Sequence, residues 1–277
     1  MGSVKGHSRF QAERGVATTT PTLHIVESIS IEQARAFVQQ HHYSEVMPRI
    51  TKVCYGGFWL DAVGQKHLGA VATLGWGTRP LHTIKKLFPS LDTSDYYELG
   101  KLCLSDSLPR NSESWFLSRV IMLVRRDHPT LKLLFSWADG ILGKPGYVYQ
   151  ASNFYYGGYI WTEMYLDKNG NRTHVRAIQG HPDLPQSSGH FKTRSFEAVE
   201  KLGFKKYFGL QFRYVYPFVT ESEWWTLVAE SPFEWSRGNY PKTRDCRWQR
   251  QASKGVREAC ERPVVSGTKY GEWRRQT

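Results

Sequence analysis

Three short segments place hydroxyl, amide and charged side chains at the ends of apolar runs. They are Ser105–Trp115, Ser136–Asp139 and Tyr149–Phe154. The apolar residues before Ser136 predict a buried strand, so Ser136 and Asp139 fall where that strand ends. Sites in proteins that combine helices with a central sheet commonly lie in the crevice beyond strand ends. We therefore expect the chemistry of this chain to lie there.

The composition is that of a globular protein. The chain has 277 residues, 40% of them hydrophobic and 22% charged, which suits one large domain plus an appendage. No run approaches the ~18 apolar residues of a membrane span, so we expect no membrane partner and a location in the cytoplasm. Residues 1–20 lack the apolar block of a signal peptide and predict a disordered leader. The four cysteines show no disulfide-like or zinc-like spacing.

Residues 231–277 predict a basic, tryptophan-rich extension. From residue 236 onwards there are eleven Lys or Arg against four Asp or Glu, a net of +7 out of the chain's +12. Basic side chains mixed with aromatic ones suit a nucleic acid, because they neutralise phosphates and stack on bases. The alternative is a solvated tail that aids solubility. The residues of the extension that we assign to DNA contacts are Arg244, Arg247, Trp248 and Arg250.

Hydrophobic periodicity predicts alternating strands and helices. The predicted strands are residues 22–28, 50–61, 68–76, 97–104, 131–137, 159–166, 173–178 and 206–218. Helices are predicted after Ser30, which has Gln33 at the capping-box position, then from Ser112 to Arg126, and over 196–202. The chain therefore begins with a strand, a helix, three strands, a helix and a strand.

This order resembles the GNAT acyltransferase fold, an α+β fold with a mixed, mostly antiparallel central sheet flanked by helices. We assign the fold to residues 21–230. In GNAT proteins the fourth and fifth strands splay apart, and the cofactor pyrophosphate lies at the N-terminus of the intervening helix, where N–H groups favour anions. The corresponding loop here, Leu108–Ser114, lacks the glycines of that family. This departure weakens the prediction of an ordinary coenzyme A site.

The start of the second predicted helix has two hydroxyls and a cation. Arg110, Ser112 and Ser114 could hold an anion or a small-molecule donor such as one resembling acetyl-CoA. Ser112 is also expected to be the N-cap of the helix. In the alternative interpretation, these residues only cap the helix and Arg110 is an exposed neighbour.

A second, more specific resemblance lies between residues 22 and 218 and is strongest from 97 to 158. The segments that carry it are Glu98–Leu102, Asp106–Ser114, Ser136–Asp139 and Tyr149–Asn153. They resemble the Mom family of phage DNA-modification proteins. The resemblance implies a GNAT-like enzyme that converts adenine in double-stranded DNA, in the bacterial host cytoplasm, to N6-carbamoylmethyladenine. This modification would protect the DNA from restriction enzymes.

A set of candidate metal ligands follows from the same resemblance. His42, Tyr43, Asp139 and Tyr149 offer an imidazole, a carboxylate and phenolic oxygens, which suit a hard or borderline ion. The resemblance implies that this ion is iron. The alternative is that His42 is favoured at a helix C-terminus by the dipole and that Tyr149 is a packing aromatic.

The candidate catalytic residues are Asp139, Tyr149, Ser114 and Lys101. Asp139 could accept a proton from the adenine amine as the new N–C bond forms. Lys101 stands where the family pattern has Arg, so it keeps the charge but not the planar, two-pronged donor geometry.

Asn153, Tyr155 and Tyr156 are candidates for contacts with the adenine base. The amide of Asn153 suits adenine N6 and N7, although Asn at a strand end is also ordinary turn chemistry. Tyr155 and Tyr156 could stack on an extruded adenine. In the alternative interpretation, both rings only pack in the core.

Two other functions are consistent with the sequence. One is a GNAT enzyme that transfers acetyl from acetyl-CoA to a protein or a small amine. The other is a DNA-binding protein with an inactive GNAT-like core.

Overall fold

The computed structural model describes residues 21–42, 44, 46–173 and 196–266. Within these residues the chain forms one ten-stranded mixed sheet and six α-helices. The strands are β1 (Ile25–Ile29), β2 (Ile50–Leu60), β3 (Lys66–Trp76), β4 (Tyr96–Leu104), β5 (Leu133–Ala138), β6 (Tyr155–Leu166), β7 (Arg172–Thr173), β8 (Lys205–Pro217), β9 (Trp248–Ser253) and β10 (Val256–Cys260). The helices are α1 (Ile31–His41), α2 (Pro80–Leu87), α3 (Ser112–Asp127), α4 (Tyr147–Ala151), α5 (Phe196–Lys201) and α6 (Glu221–Glu230).

The sheet is mostly antiparallel. Its order is β1-β2-β3-β4-β5-β8-β6-β7, and the β9–β10 hairpin pairs with β8. Among the ladders between these strands, β4–β5 is the parallel one. The predicted mixed, mostly antiparallel sheet is therefore confirmed, whereas the GNAT-like relation stays a prediction. The predicted strand over 173–178 lies outside the described residues beyond Thr173.

Local sequence signals fix the first elements. Ser30 is the N-cap of α1, and its side chain and that of Gln33 form the predicted capping box. The β2–β3 hairpin turns at Gly64, whose φ of +81° favours glycine. The helix ends at His41, so His42 is its C-cap rather than a helical residue.

Helices cover both faces of the sheet. Adjacent strand residues such as Cys54 and Tyr55 belong to different hydrophobic clusters, because side chains alternate between the two faces of a strand. On the face of Tyr55, α3 buries Phe116 and Val120. The opposite face is covered by α1, α2 and α6, which provide the clusters around Phe37 and Trp224. The sequence analysis did not predict α2, α4 or α6.

The feature that creates a site is the short pairing between β4 and β5. The two strands pair only from Tyr96–Leu133 to Glu98–Phe135, although β4 continues to Leu104 and β5 to Ala138. Beyond Glu98 the strands part, and a cleft opens between them. In the part of the chain that the structure describes, no helix is long and apolar enough to cross a membrane.

Within the described part of the chain, the first residues after 230 pack against the rest of the protein. Trp235 is 6% exposed and stacks on Phe88 with ring centroids 5.3 Å apart. Its indole N–H donates to the Ser231 hydroxyl at 2.9 Å. The domain boundary at residue 230 stays a prediction, but these contacts show that at least the first part of the extension contributes to the core.

We predict that Trp235→Ala lowers the free energy of unfolding by about 3–5 kcal/mol, because it removes a large buried ring. Trp225→Ala is the matched control, since Trp225 is 49% exposed on α6. Urea denaturation of the two variants and the wild-type protein measures the difference. An equal, small effect of both substitutions would show that residues after 230 do not contribute to the core.

Candidate active site

The cleft between β4 and β5 has a volume of about 1050 Å³. Its walls come from both parted strands, from the C-terminal end of α1, from the start of α3, and from α4 with the loop before it. It brings together five candidate residues that are distant in sequence, namely His42, Lys101, Ser114, Asp139 and Tyr149. Arg110, Ser112, Asn153, Tyr155 and Tyr156 are not among the residues that line it. Tyr43 lies outside the described residues.

Lys101 and His42 both contact the backbone of Ser44. The Lys101 ammonium donates to the Ser44 carbonyl oxygen at 2.8 Å. The His42 Nδ1 lies 2.9 Å from the Ser44 N–H, which donates to it in the tautomer protonated at Nε2. Through these bonds Lys101 holds the segment after α1 against β4.

Three basic groups in the cleft have lowered pKa values. Burial, together with the positive charges of Lys101 and Lys144, lowers the pKa of His42 to about 3, so the imidazole is neutral at physiological pH. Burial also lowers the pKa of Lys101 to about 8 and that of Lys144 to about 8, and the charge of Asp139 partly offsets both shifts. Each lysine is thus close to losing its proton under ordinary conditions. Lys144 was not predicted, because an isolated lysine in a Gly- and Pro-containing loop carries no sequence signal.

Tyr149 lies in the helix α4 and not at the end of a strand. It is 8% exposed, and its hydroxyl accepts a hydrogen bond from Ser136 at 2.8 Å. The Ser136 hydroxyl also lies 3.2 Å from the Leu99 carbonyl oxygen across the opening between the strands. Burial raises the pKa of Tyr149 to about 12, so the phenol is protonated.

Glu98 and Trp137 line the cleft and were not predicted as site residues. Glu98 is the last residue of β4 that pairs with β5. Burial raises its pKa to about 7, although a backbone hydrogen bond from Gly77 opposes the shift. The buried Arg213 guanidinium lies 5.3 Å from the Trp137 ring centroid. Glu98 could have been found from the resemblance, because it begins the Glu98–Leu102 segment.

The start of α3 differs from the prediction. Its N-cap is Asn111, with a left-handed φ of 69°, and Ser112 is the first helical residue. The Ser112 hydroxyl donates to the Pro109 carbonyl at 2.7 Å instead of capping the helix. Asn tolerates this backbone conformation better than Ser does, which explains the shift by one residue.

The predicted anion site at the start of α3 lies only partly in the cleft. Ser114 lines the cleft, and its hydroxyl donates to the Asn111 carbonyl at 3.1 Å. The acidic side chains Asp106 and Glu113 line the cleft together with the cations Lys101, Lys144 and Arg172, whereas Arg110 does not line it. A small-molecule donor resembling acetyl-CoA therefore stays a prediction.

Three of the four predicted iron ligands, His42, Asp139 and Tyr149, line the cleft. The described residues contain no group of three or more His, Cys, Asp and Glu side chains placed to hold a metal, but the predicted set has only two ligands of these types. The positive charges of Lys101 and Lys144 act on His42, the protonated Tyr149 hydroxyl is hydrogen-bonded to Ser136, and Tyr43 lies outside the described residues. Iron therefore stays a prediction of the family resemblance.

The extension holds the loop that begins at Asp139. This loop continues through a 3-10 turn, Gly140–Leu142, whose Ile141 carbonyl accepts the Trp248 indole N–H at 2.8 Å. The Leu142 carbonyl accepts a hydrogen bond from the Arg262 guanidinium. Trp248 is partly buried by these contacts, so part of its surface is not available to DNA.

The other predicted DNA contacts lie apart from the cleft. Arg244, Arg247 and Arg250 are exposed, and Arg250 lies 3.6 Å from Glu258 across the β9–β10 hairpin. Asn153 has a left-handed φ of 60°, and its carbonyl accepts from Arg237 at 3.0 Å. Tyr155 packs on Trp224 with centroids 4.6 Å apart. Tyr155 thus packs against the core, and Asn153 lies in a turn. Their contacts with DNA stay a prediction.

The buried carboxyl of Glu98 gives a pH prediction. Because the pKa of Glu98 is about 7 in the folded protein against a usual value of 4.5, the stabilising effect of its protonated carboxyl is full below pH 4.5 and is lost as the pH rises through 7. Glu98→Gln should therefore raise the melting temperature at pH 8 and have little effect near pH 4. Thermal unfolding at both pH values measures this, with Glu234→Gln as the control, since Glu234 is exposed. Equal effects of Glu98→Gln at the two pH values would show that Glu98 has an ordinary pKa.

Comparison with known proteins identifies the family. A family model described as the Mom protein family matches residues 23–242. The methylcarbamoylase mom of Escherichia phage Mu is 34% identical over 129 residues, which is 47% of this chain and 51% of that protein. The chain thus spans about half the length of the curated relative that it matches. Since the family model covers well over half of the sequence, the chain belongs to the Mom protein family.

Proposed function

We propose that this protein is a phage DNA-modifying transferase that converts adenine in DNA to N6-carbamoylmethyladenine, on a GNAT-like fold. The observation that carries the proposal is that one cleft collects Lys101, Ser114, Asp139 and Tyr149 in a chain of the Mom family. The relative in phage Mu is named a methylcarbamoylase, which is consistent with this reaction. Protection of phage DNA from restriction enzymes is the corresponding biological role.

The substrate must leave the duplex to reach the cleft. Adenine N6 is paired and stacked in double-stranded DNA, so the nucleotide would be extruded, which costs a few kcal/mol. The cleft of about 1050 Å³ has room for a base together with a small donor. The aromatic ring of Trp137, on the wall formed by β5, is a suitable surface for a base to stack on.

The reaction joins adenine N6 to the methylene carbon of the donor. N6 loses a proton, and the leaving group of the donor departs with the electron pair of the broken bond. The amine is a weak nucleophile because its lone pair is delocalised into the ring, so a base that accepts the proton accelerates the step. Asp139 is our candidate for this base.

The neighbouring charges support this assignment. Lys101 and Lys144 both interact with Asp139 electrostatically, so the carboxylate lies among the basic groups of the cleft. The neutral His42 and the protonated Tyr149 add hydrogen-bonding groups without adding charge. Lys101 replaces the arginine of the family pattern and is held by the Ser44 carbonyl.

We predict that Asp139→Asn abolishes adenine modification and that Tyr149→Phe lowers it at least tenfold, about 1.4 kcal/mol in the barrier. Both substitutions keep side-chain volume, so the melting temperature should change little. The measurement is mass spectrometry of nucleosides from DNA co-expressed with each variant. Glu27→Gln, which changes a carboxylate on the edge strand β1, is the control. Wild-type levels of modified adenine in Asp139→Asn would exclude Asp139 as the base.

The same nucleoside analysis separates the alternatives. Unmodified DNA together with consumption of acetyl-CoA would support an N-acyltransferase acting on a protein or small amine. Unmodified DNA with salt-sensitive binding alone would support a non-catalytic DNA-binding protein. Elemental analysis of the purified wild-type and His42→Ala proteins tests whether iron binds at the cleft.

A further inference from the structure

Exposed aromatic side chains form a second surface outside the cleft. Tyr159 is 54% exposed and Trp161 39% exposed on β6, where alternation places both on the same face of the sheet. Tyr147, 51% exposed, lies on the rim of the cleft. Large aromatic side chains this exposed on a sheet are common at binding surfaces.

Tyr159 also lines a pocket of about 320 Å³. Its aromatic walls are Tyr156, Tyr159, Phe212 and Tyr240, and Arg247 contributes a cation at its edge. Asn239 and Asp245 also line it and offer an amide and a carboxylate. Small-molecule pockets span about 300–1,000 Å³, so this one suits a single planar ring system with a polar edge.

The pocket is connected to the cleft through the extension. The Tyr147 hydroxyl lies 3.1 Å from the Thr243 hydroxyl, in the 3-10 turn Thr243–Asp245. The Lys242 ammonium lies 5.7 Å from the Tyr147 ring centroid, and the exposed Arg244 belongs to the same turn. The segment from Lys242 to Arg247 thus carries three cations between its contact with Tyr147 and the pocket.

We propose that this pocket binds an unpaired nucleobase of the DNA, next to the adenine held in the cleft. We call it the aromatic pocket and define it by Tyr156, Tyr159, Tyr240 and Arg247. The proposal rests on DNA as the substrate of the proposed function. It assigns the pocket a nucleobase because aromatic walls provide stacking and the flanking lysine and arginines match the charge of the phosphates. A protein partner would not require this row of cations.

An unpaired base is expected near the cleft for a physical reason. Extruding a nucleotide disturbs the stacking of its neighbours, and a pocket that captures a neighbouring base stabilises the distorted DNA. Stacking tolerates any base, so the pocket would add affinity without sequence specificity. The Asp245 carboxylate lines the pocket and would repel a phosphate. The base is therefore the part of the nucleotide that fits the pocket.

The test is binding of fluorescein-labelled single-stranded DNA to the full chain, followed by fluorescence anisotropy over a range of salt concentrations. We predict that Tyr159→Ala weakens binding roughly tenfold without changing the slope of log affinity against log salt, because stacking releases no counterions. Tyr159→Trp should restore the affinity. Arg247→Ala should instead reduce the slope by roughly one unit.

Trp225→Ala is the matched control, since it removes an aromatic ring of similar exposure from α6. Unchanged affinity of Tyr159→Ala, or an equal loss in Trp225→Ala, would overturn the proposal. A loss that Tyr159→Trp does not restore would also overturn it, because it would indicate altered folding rather than lost stacking.

Nucleoside analysis with the wild-type protein keeps the two proposals separate. Modified adenine together with unaffected binding by Tyr159→Ala would contradict only the pocket. Unmodified adenine together with the predicted binding losses would contradict only the proposed reaction.

Discussion

The site depends on how the gap between β4 and β5 is bridged. Parallel pairing stops at Glu98 and Phe135, and the strands continue by pairing with β3 and β8 on their outer edges. The Ser136 hydroxyl lies within hydrogen-bonding distance of both the Leu99 carbonyl and the Tyr149 hydroxyl. A side chain thus replaces the missing backbone pairing and ties α4 to the same point. The cleft is the space that this arrangement leaves open.

The cleft concentrates ionisable groups in a partly buried place, which costs stability. The pKa of Glu98 is raised, whereas those of His42, Lys101 and Lys144 are lowered, and burial is the largest cause for each of them. Such groups are common where a protein performs proton transfer. The rest of the fold holds them in place, and the extension contributes through Trp248 and Arg262, which bond to the carbonyls of the loop after Asp139.

Much of the sheet could be predicted from the sequence, because its signals are local. The Ser30 capping box, the Gly64 turn and the alternating apolar residues of β2 and β3 each act over a few residues. The strand order could not be derived this way, since β8 inserts between β5 and β6 through contacts distant in sequence. The helices α2 and α6 were missed although each carries a local signal, Pro80 at the start of α2 and the capping box of Thr220 and Glu223 at the start of α6.

The site was predictable to a similar degree. Asp139 and Lys101 were found because strand ends and a family pattern marked them, and the structure brings both into one cleft. Lys144 was not found, because only the folded chain places it there, whereas Trp137 was missed although it belongs to the segment Ser136–Asp139 that carries the resemblance. The roles of Ser112 and Trp248 were predicted from residue type alone. Their hydrogen bonds to the Pro109 and Ile141 carbonyls reflect backbone geometry that residue type does not encode.

The central claim is that the cleft between β4 and β5 receives the adenine. Photo-crosslinking tests it most directly, with duplex DNA that carries 8-azidoadenine at single positions and peptide mapping of the crosslinked protein by mass spectrometry. The account predicts crosslinks in peptides that contain β4 and the segment from β5 through α4, with their loss in the presence of excess unlabelled DNA. Crosslinks confined to the β2–β3 hairpin or to α2 would contradict it, because those elements do not line the cleft.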